Sequence, residues 1–209
     1  MNHLRILAIA LLLTAWLVYP GTCVAQLSKG GVPPSFNYEL KWSQAEKIAV
    51  QPPDLSNASM EDEIHPSPYR FGIIVPIDIS PAYSGSWSIL PDGKKIWRAT
   101  VSAPGALAVS AYFDRFRIPE GGRLYIYNSD RSQVIGAFTP INNSRSGLFA
   151  TELIGGEEMT LEYINAEGNE LVPQIHMNEM TYAYRGVEYL DKQGYIPFYS
   201  GKCEVNVNP

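Results

Sequence analysis

The chain has 209 residues, 45% of them hydrophobic and 18% charged, proportions that allow one well-buried globular core. A net charge of −5 and a pI near 5.2 exclude the basic footprint that attraction to nucleic acid or to an anionic membrane surface requires.

At the N-terminus, Arg5 precedes a short apolar run over 6–18. Pro20-Gly21 breaks that run, and Cys23-Val24-Ala25 offers small residues before Gln26. This is the pattern of a secretory signal peptide over 1–25, cut after Ala25. A retained anchor fits less well, because the run is short for a membrane span. A lipid on Cys23 also fits less well, because Thr22 precedes it. Cleavage removes Cys23 and leaves Cys203 as the single cysteine of an exported protein, either a free thiol or half of a bridge to sequence beyond Pro209.

Residues 26–68 read as an extended, proline-rich lead-in. Gly30-Gly31, Pro33-Pro34, Pro52-Pro53, Pro66 and Pro68 punctuate it, and proline both fixes φ and removes a donor. Phe36, Tyr38 and Trp42 are its candidate anchors. Glu61-Asp62-Glu63 reads as a solvated acidic patch, without the regular oxygen-ligand spacing of a calcium loop.

From Tyr69 the apolar period becomes two. Phe71, Ile73, Val75, Ile77 and Ile79 alternate with other residues, and Pro76 among them predicts an edge strand. Between Gly85 and Thr139 short alternating runs are cut by turn clusters at 91–93, 104–105, 119–122 and 128–130. Trp97, Ala99 and Val101 share one face, as do Leu107, Val109, Ala111 and Phe113, and again Leu124 and Ile126. The apolar phase slips across Asp114-Arg115, which predicts a β-bulge. A polar loop follows over 142–147, then a strand over 148–154. Met159, Leu161 and Tyr163 mark another strand, and a last strand pair is expected over 174–184. The tail, 190–209, reads as a linker. Eight or nine strands and no convincing amphipathic helix predict an all-β protein, an antiparallel, jelly-roll-like β-sandwich over 69–189.

Chemistry-bearing motifs are scarce. The sequence contains no HExxH, CxxC, GxSxG, phosphate loop or dinucleotide fingerprint, so no cofactor or metal is expected. His3 leaves with the signal, His65 lies in the lead-in, and His176 alternates with Ile175 and Met177 as an outward-facing strand residue. None has a nucleophile and an orienting partner nearby in sequence. Glu157-Glu158 point opposite ways on a strand and cannot converge on one bond. If Phe113, Leu124 and Ile126 face the core, then Tyr112, Tyr125 and Tyr127 face away from it. They form either a surface for sugars or another domain, or a face covered by the lead-in.

Several segments together carry a resemblance: GGVPPSF (30–36), PYRFG (68–72), the long run GSWSILPDGKKIWRATVSAPGALAVSAYFDRFRIPEGGRLYIYN (85–128), VIGAF (134–138), TYAYRG (181–186) and SGKCEVNVN (200–208). In this order they resemble the N-terminal, pre-catalytic region of secreted bacterial trypsin-fold serine proteases similar to lysyl endopeptidase. The resemblance implies a non-catalytic prodomain that assists folding of the protease or restrains it until cleaved. The catalytic His, Asp and Ser would lie beyond Cys203, so none is carried onto this chain. It also implies that Cys203 pairs with a cysteine of its own downstream protease domain. Lys192 and Lys202 become candidate processing sites, with Lys192 favoured because it leaves Cys203 inside the mature protein. The chain departs from the pattern at Pro209, where that family often has a second cysteine. The rival expectation is a free-standing exported module that binds glycans or a cell surface through Tyr112, Tyr125 and Tyr127.

Overall fold

A computed structural model describes residues 28–38, 45–65, 69–166, 168 and 171–186. These form eleven strands and one α-helix: β1 (Glu46–Ala49), α1 (Ser56–Ile64), β2 (Gly72–Ile79), β3 (Ser86–Ile89), β4 (Lys95–Ser102), β5 (Ala108–Arg117), β6 (Arg123–Asn128), β7 (Val134–Phe138), β8 (Phe149–Ala150), β9 (Ile154–Gly155), β10 (Glu158–Ile164) and β11 (Gln174–Ala183).

The strands make two sheets packed face to face, an all-β sandwich. Sheet A runs β1-β4-β10-β6-β7 with β3 also on β4, and sheet B runs β2-β11-β5-β8 with β9 also on β5. Apart from the parallel pairing of β1 with β4, every pairing is antiparallel. Setting β1 and β3 aside, the chain visits the sheets in the double Greek-key order of a jelly roll.

Strict two-residue alternation makes each strand two-faced. Trp97, Ala99, Val101, Leu124, Ile126, Met159, Leu161 and Tyr163 point inward from sheet A, and all are essentially inaccessible. Val109, Ala111, Phe113, Phe116, Ile175, Met177, Met180 and Tyr182 meet them from sheet B. Phe116 stacks on Phe149 with ring centroids 4.1 Å apart, and Phe138 meets Phe149 edge-on at 4.9 Å, closing one end of the core. The Trp97 indole N–H donates to the Ser84 carbonyl at 2.7 Å, so the largest core side chain buries no unmet donor.

Two local expectations hold. Pro76 lies on β2, at the margin of sheet B, where a missing N–H breaks no ladder. The phase slip is a bulge: His176 faces Arg115 and Met177 faces Phe113, leaving Asp114 as the extra residue of β5.

Other expectations are corrected. The span 174–184 is not a strand pair but one ten-residue strand, β11, whose register shifts between Met177 and Glu179. The span 148–154 gives two two-residue strands rather than one. The lead-in is not simply extended. Lys29 N–H donates to the Ala137 carbonyl at 3.1 Å and Ala137 N–H to the Gly30 carbonyl at 3.3 Å, so 28–30 line the free edge of β7. The chain then makes a 3₁₀ turn over Pro34–Phe36, contributes β1 at the opposite margin of the sheet, and forms α1. The lead-in is a strap attached to both margins of sheet A. All described residues lie in one compact unit, Leu27–Glu204.

Candidate functional site

The outer face of sheet A is polar because its strands alternate. Register sets Glu162 between Arg98 and Tyr125, and Thr160 between Thr100 and Tyr127. The strap descends on this face. Ser35, fully buried, donates its backbone N–H to Glu162 Oε1 at 3.0 Å and its hydroxyl to Glu162 Oε2. The Tyr127 hydroxyl donates to the same Oε2 at 2.8 Å, and Phe36 meets the Tyr127 ring edge-on at 4.9 Å. A carboxylate with no solvent exposure is thus met by three donors, and the buried Arg98 sits across from it in register. Burial first, then the charge of Glu162, pushes the Tyr127 phenol far above the usual tyrosine range. Tyr125 is also raised, chiefly by burial.

Of the two expectations for the outward tyrosines, a face covered by the lead-in holds for Tyr125 and Tyr127, and the open three-tyrosine surface is corrected. Tyr125 and Tyr127 do point away from the core, but each is only 3% exposed because the strap lies over them. Tyr112 belongs to β5 on the other sheet, half-buried, where its hydroxyl accepts a bond from Thr181 at 3.2 Å. The three do not form one face. Among the described residues, sheet A also carries a basin of about 410 Å³, lined in part by Lys47, Arg98, Thr100, Tyr127, Arg131, Glu158 and Thr160.

A second cluster lies on sheet B. The β5 bulge turns Asp114 toward His176, with Nδ1 2.5 Å from Asp114 Oδ1, while Nε2 lies 3.0 Å from Asp78 Oδ1 on β2. Tyr83 donates to that same Asp78 oxygen. His176 faces outward as its alternation predicts, yet it bridges two strands across the central β11. The bond from Tyr83, and then that from His176, hold the Asp78 carboxyl below its usual range. The Tyr83 hydroxyl serves Asp78 rather than the imidazole, and both ring nitrogens face carboxylates. The arrangement braces strands; it lacks the hydroxyl–imidazole bond of a hydrolytic triad.

The third cluster corrects the solvated acidic patch at its middle residue, while Glu61 and Glu63 are exposed as expected. Asp62 is 6% exposed. It takes Arg185 Nη2 at 3.1 Å, Arg70 Nε at 3.7 Å and the Tyr184 hydroxyl, while Glu61 takes Arg70 Nη2 at 2.8 Å. Helix α1 is latched to the end of β11. His65 closes that helix with its backbone N–H on the Glu61 carbonyl at 2.7 Å, and its side chain stays exposed. Glu157 and Glu158 do diverge, to the Gly105 N–H and to Lys47 respectively.

Ser35, Arg98, Glu162 and Asp62 are the polar residues that sequence reasoning missed. Each sits in a pattern that ordinarily faces water, and only contacts between remote segments bury it. Among the described residues, no three His, Cys, Asp or Glu side chains are grouped to hold a metal ion. His3, Cys23, Ala25, Lys192, Lys202 and Cys203 lie outside the described residues. No protein-family model matches the chain, and no solved structure matches it.

Proposed function

We propose that this chain is the signal peptide and non-catalytic N-terminal prodomain of a secreted, lysyl endopeptidase-like serine protease. In this reading it assists folding of the downstream protease, or restrains it, until proteolysis in the 187–202 segment after Lys192 or Lys202 separates the two. The supporting observation is spatial. Of the segments that carry the resemblance, 30–36, 69–72, 85–128, 134–138 and 181–186 are scattered over the sequence but belong to one packed unit, and 200–208 lies outside the described residues. GGVPPSF is the strap that delivers Ser35 to Glu162. PYRFG and TYAYRG supply Arg70, Tyr184 and Arg185 to the Asp62 latch. The run 85–128 builds strands of both sheets, and VIGAF is β7. A similarity whose described segments meet in one packed unit, in its core and at its latches, supports a shared module better than separate short matches do.

The test has two parts. Sequencing the gene beyond codon 209 is expected to find an open frame encoding a trypsin-like domain, and a stop codon there defeats the proposal. With that frame in hand, the protease domain is refolded with and without residues 26–192 supplied in trans. The prodomain is expected to raise the yield of active protease or to inhibit it, and no effect in either direction counts against a prodomain role.

A further inference from the structure

His176 lies between two irregularities of sheet B. On one side, Asp114 is the extra residue of the β5 bulge. On the other, Met177 pairs with Ile79 and Glu179 with Pro76, so Ile77 and Asp78 of β2 face the single Asn178. Each irregularity brings an aspartate to the same ring: Nδ1 lies 2.5 Å from Asp114 Oδ1, and Nε2 lies 3.0 Å from Asp78 Oδ1. Both ladders of β11 change register here, and a bulge leaves its extra residue unpaired. Side chains therefore join the three strands where the backbone bonds are interrupted. Strand β2 is the margin of sheet B and pairs only with β11, so its end has no second neighbouring strand to hold it.

The geometry fixes the proton count. An ionised carboxylate only accepts, and a neutral imidazole has a single N–H. Contacts from both ring nitrogens to two carboxylates need two donors, so the arrangement holds one proton more than a neutral ring supplies. The groups around the ring come from every packed element. They are Asp114 and Arg115 of β5, the latter opposite His176 in register, Asp78 of β2, and Tyr83 of the turn that follows it. Glu179 lies farther along β11. Once the extra proton leaves, one nitrogen turns a lone pair toward a carboxylate. The shorter contact, to Asp114, keeps the remaining N–H, and the lone pair falls to Asp78. That carboxylate has other company: its side chain is 73% exposed, and it keeps the bond from Tyr83.

We propose that His176 is a proton-operated clip: charged, it ties β2 to β5 across β11, and neutral, it keeps Asp114 and releases Asp78 and the end of β2. The assignment stands whether or not the chain serves a protease. Contacts this exposed add little to global stability, so the readout is local. Nuclear magnetic resonance of the full chain between about pH 5 and pH 8, either side of the ordinary imidazole value near 6.5, is the test. The His176 ring is expected to pass from two protonated nitrogens to Nδ1–H alone. In the same step, hydrogen-exchange protection at 77–79 is expected to fall about fivefold, the loss of one charge-assisted contact near the surface, while 109–111 in β5 stay protected. His176→Gln is expected to abolish the step. Asp78→Asn, whose amide donates as well as accepts, is expected to hold the end of β2 alike at both pH values, and it guards against a folding defect in the first variant. A ring with one protonated nitrogen at pH 5 overturns the proposal. So does protection at 77–79 that ignores pH, or a step that survives either substitution.

Discussion

Glu162 concentrates the cost of the lead-in's attachment into one side chain. Its two oxygens receive the Ser35 N–H, the Ser35 hydroxyl and the Tyr127 hydroxyl, and no water reaches it. Replacing one oxygen by an amide NH₂ sets a donor against donors without changing shape. Glu162→Gln is therefore expected to lower unfolding free energy by about 1–3 kcal/mol, the usual cost of leaving buried polar groups unmet. Tyr127→Phe removes a single donor and is expected to cost about 1 kcal/mol. Urea denaturation measures both, and a Gln variant as stable as the parent would show that the carboxylate does not anchor the strap. Gly85 answers to a different constraint. It has φ +75, and a Cβ there would lie 2.4 Å from the Trp97 Nε1 that bonds Ser84. Gly85→Ala pits backbone strain and a clash against a fully buried indole, so a loss of about 2 kcal/mol or more is expected in the same assay.

Among the elements, the strap and α1 were the least legible in the sequence. The core strands declare themselves because alternation is local: Trp97, Ala99 and Val101 need no distant partner to reveal their face. The β5 bulge is legible for the same reason, since one extra residue shifts the phase of Phe113 and Phe116. The register shift within β11 changes phase too, and it mimics a turn, which is why one long strand resembles a pair. A proline-rich segment carries no period, and where it docks depends on Glu162, some 127 residues from Ser35. Helix α1, SNASMEDEI, has no continuous apolar stripe and is held by Asp62 instead. The basin was hidden for a related reason, because its lining comes from four separate stretches. These attachments give a prediction at the level of the element. A chain beginning at Ala45 loses 28–30 from the edge of β7 and Ser35 from Glu162. Hydrogen exchange is expected to quicken at Ala137 and through β6 and β7, while β5 and β11 keep their protection. Uniform protection in the shortened chain would mean that the strap is a passive covering.

The whole molecule should be more sensitive to alkali than its composition suggests, because several of its tyrosines are held neutral by the fold. Burial pushes Tyr163 up to about 12, and Tyr127 is shifted upward further by burial and the charge of Glu162. Tyr125, Tyr182 and Tyr184 are raised in the same direction, each mainly by burial. An unfolded tyrosine ionises near pH 10. Between that pH and the folded values the unfolded chain releases protons that the native chain keeps, so unfolding gains free energy with each step in pH. The tyrosine contribution is therefore complete below about pH 10 and is lost as pH rises through about 12. The carboxyls run the other way. Asp54, Asp78, Asp92 and Asp130 are lowered, mostly by hydrogen bonds to the charged form, so their contribution is present above the ordinary carboxylate range and fades as pH falls through their depressed values. These aspartates are largely exposed, and the acid limb should be shallow. The alkaline limb should be steep, and Tyr163→Phe should soften it by removing one of the groups that titrates on unfolding. Urea midpoints measured from pH 7 to pH 12 check this, and a flat profile, or one unchanged by Tyr163→Phe, would show that the buried phenols do not control alkaline stability.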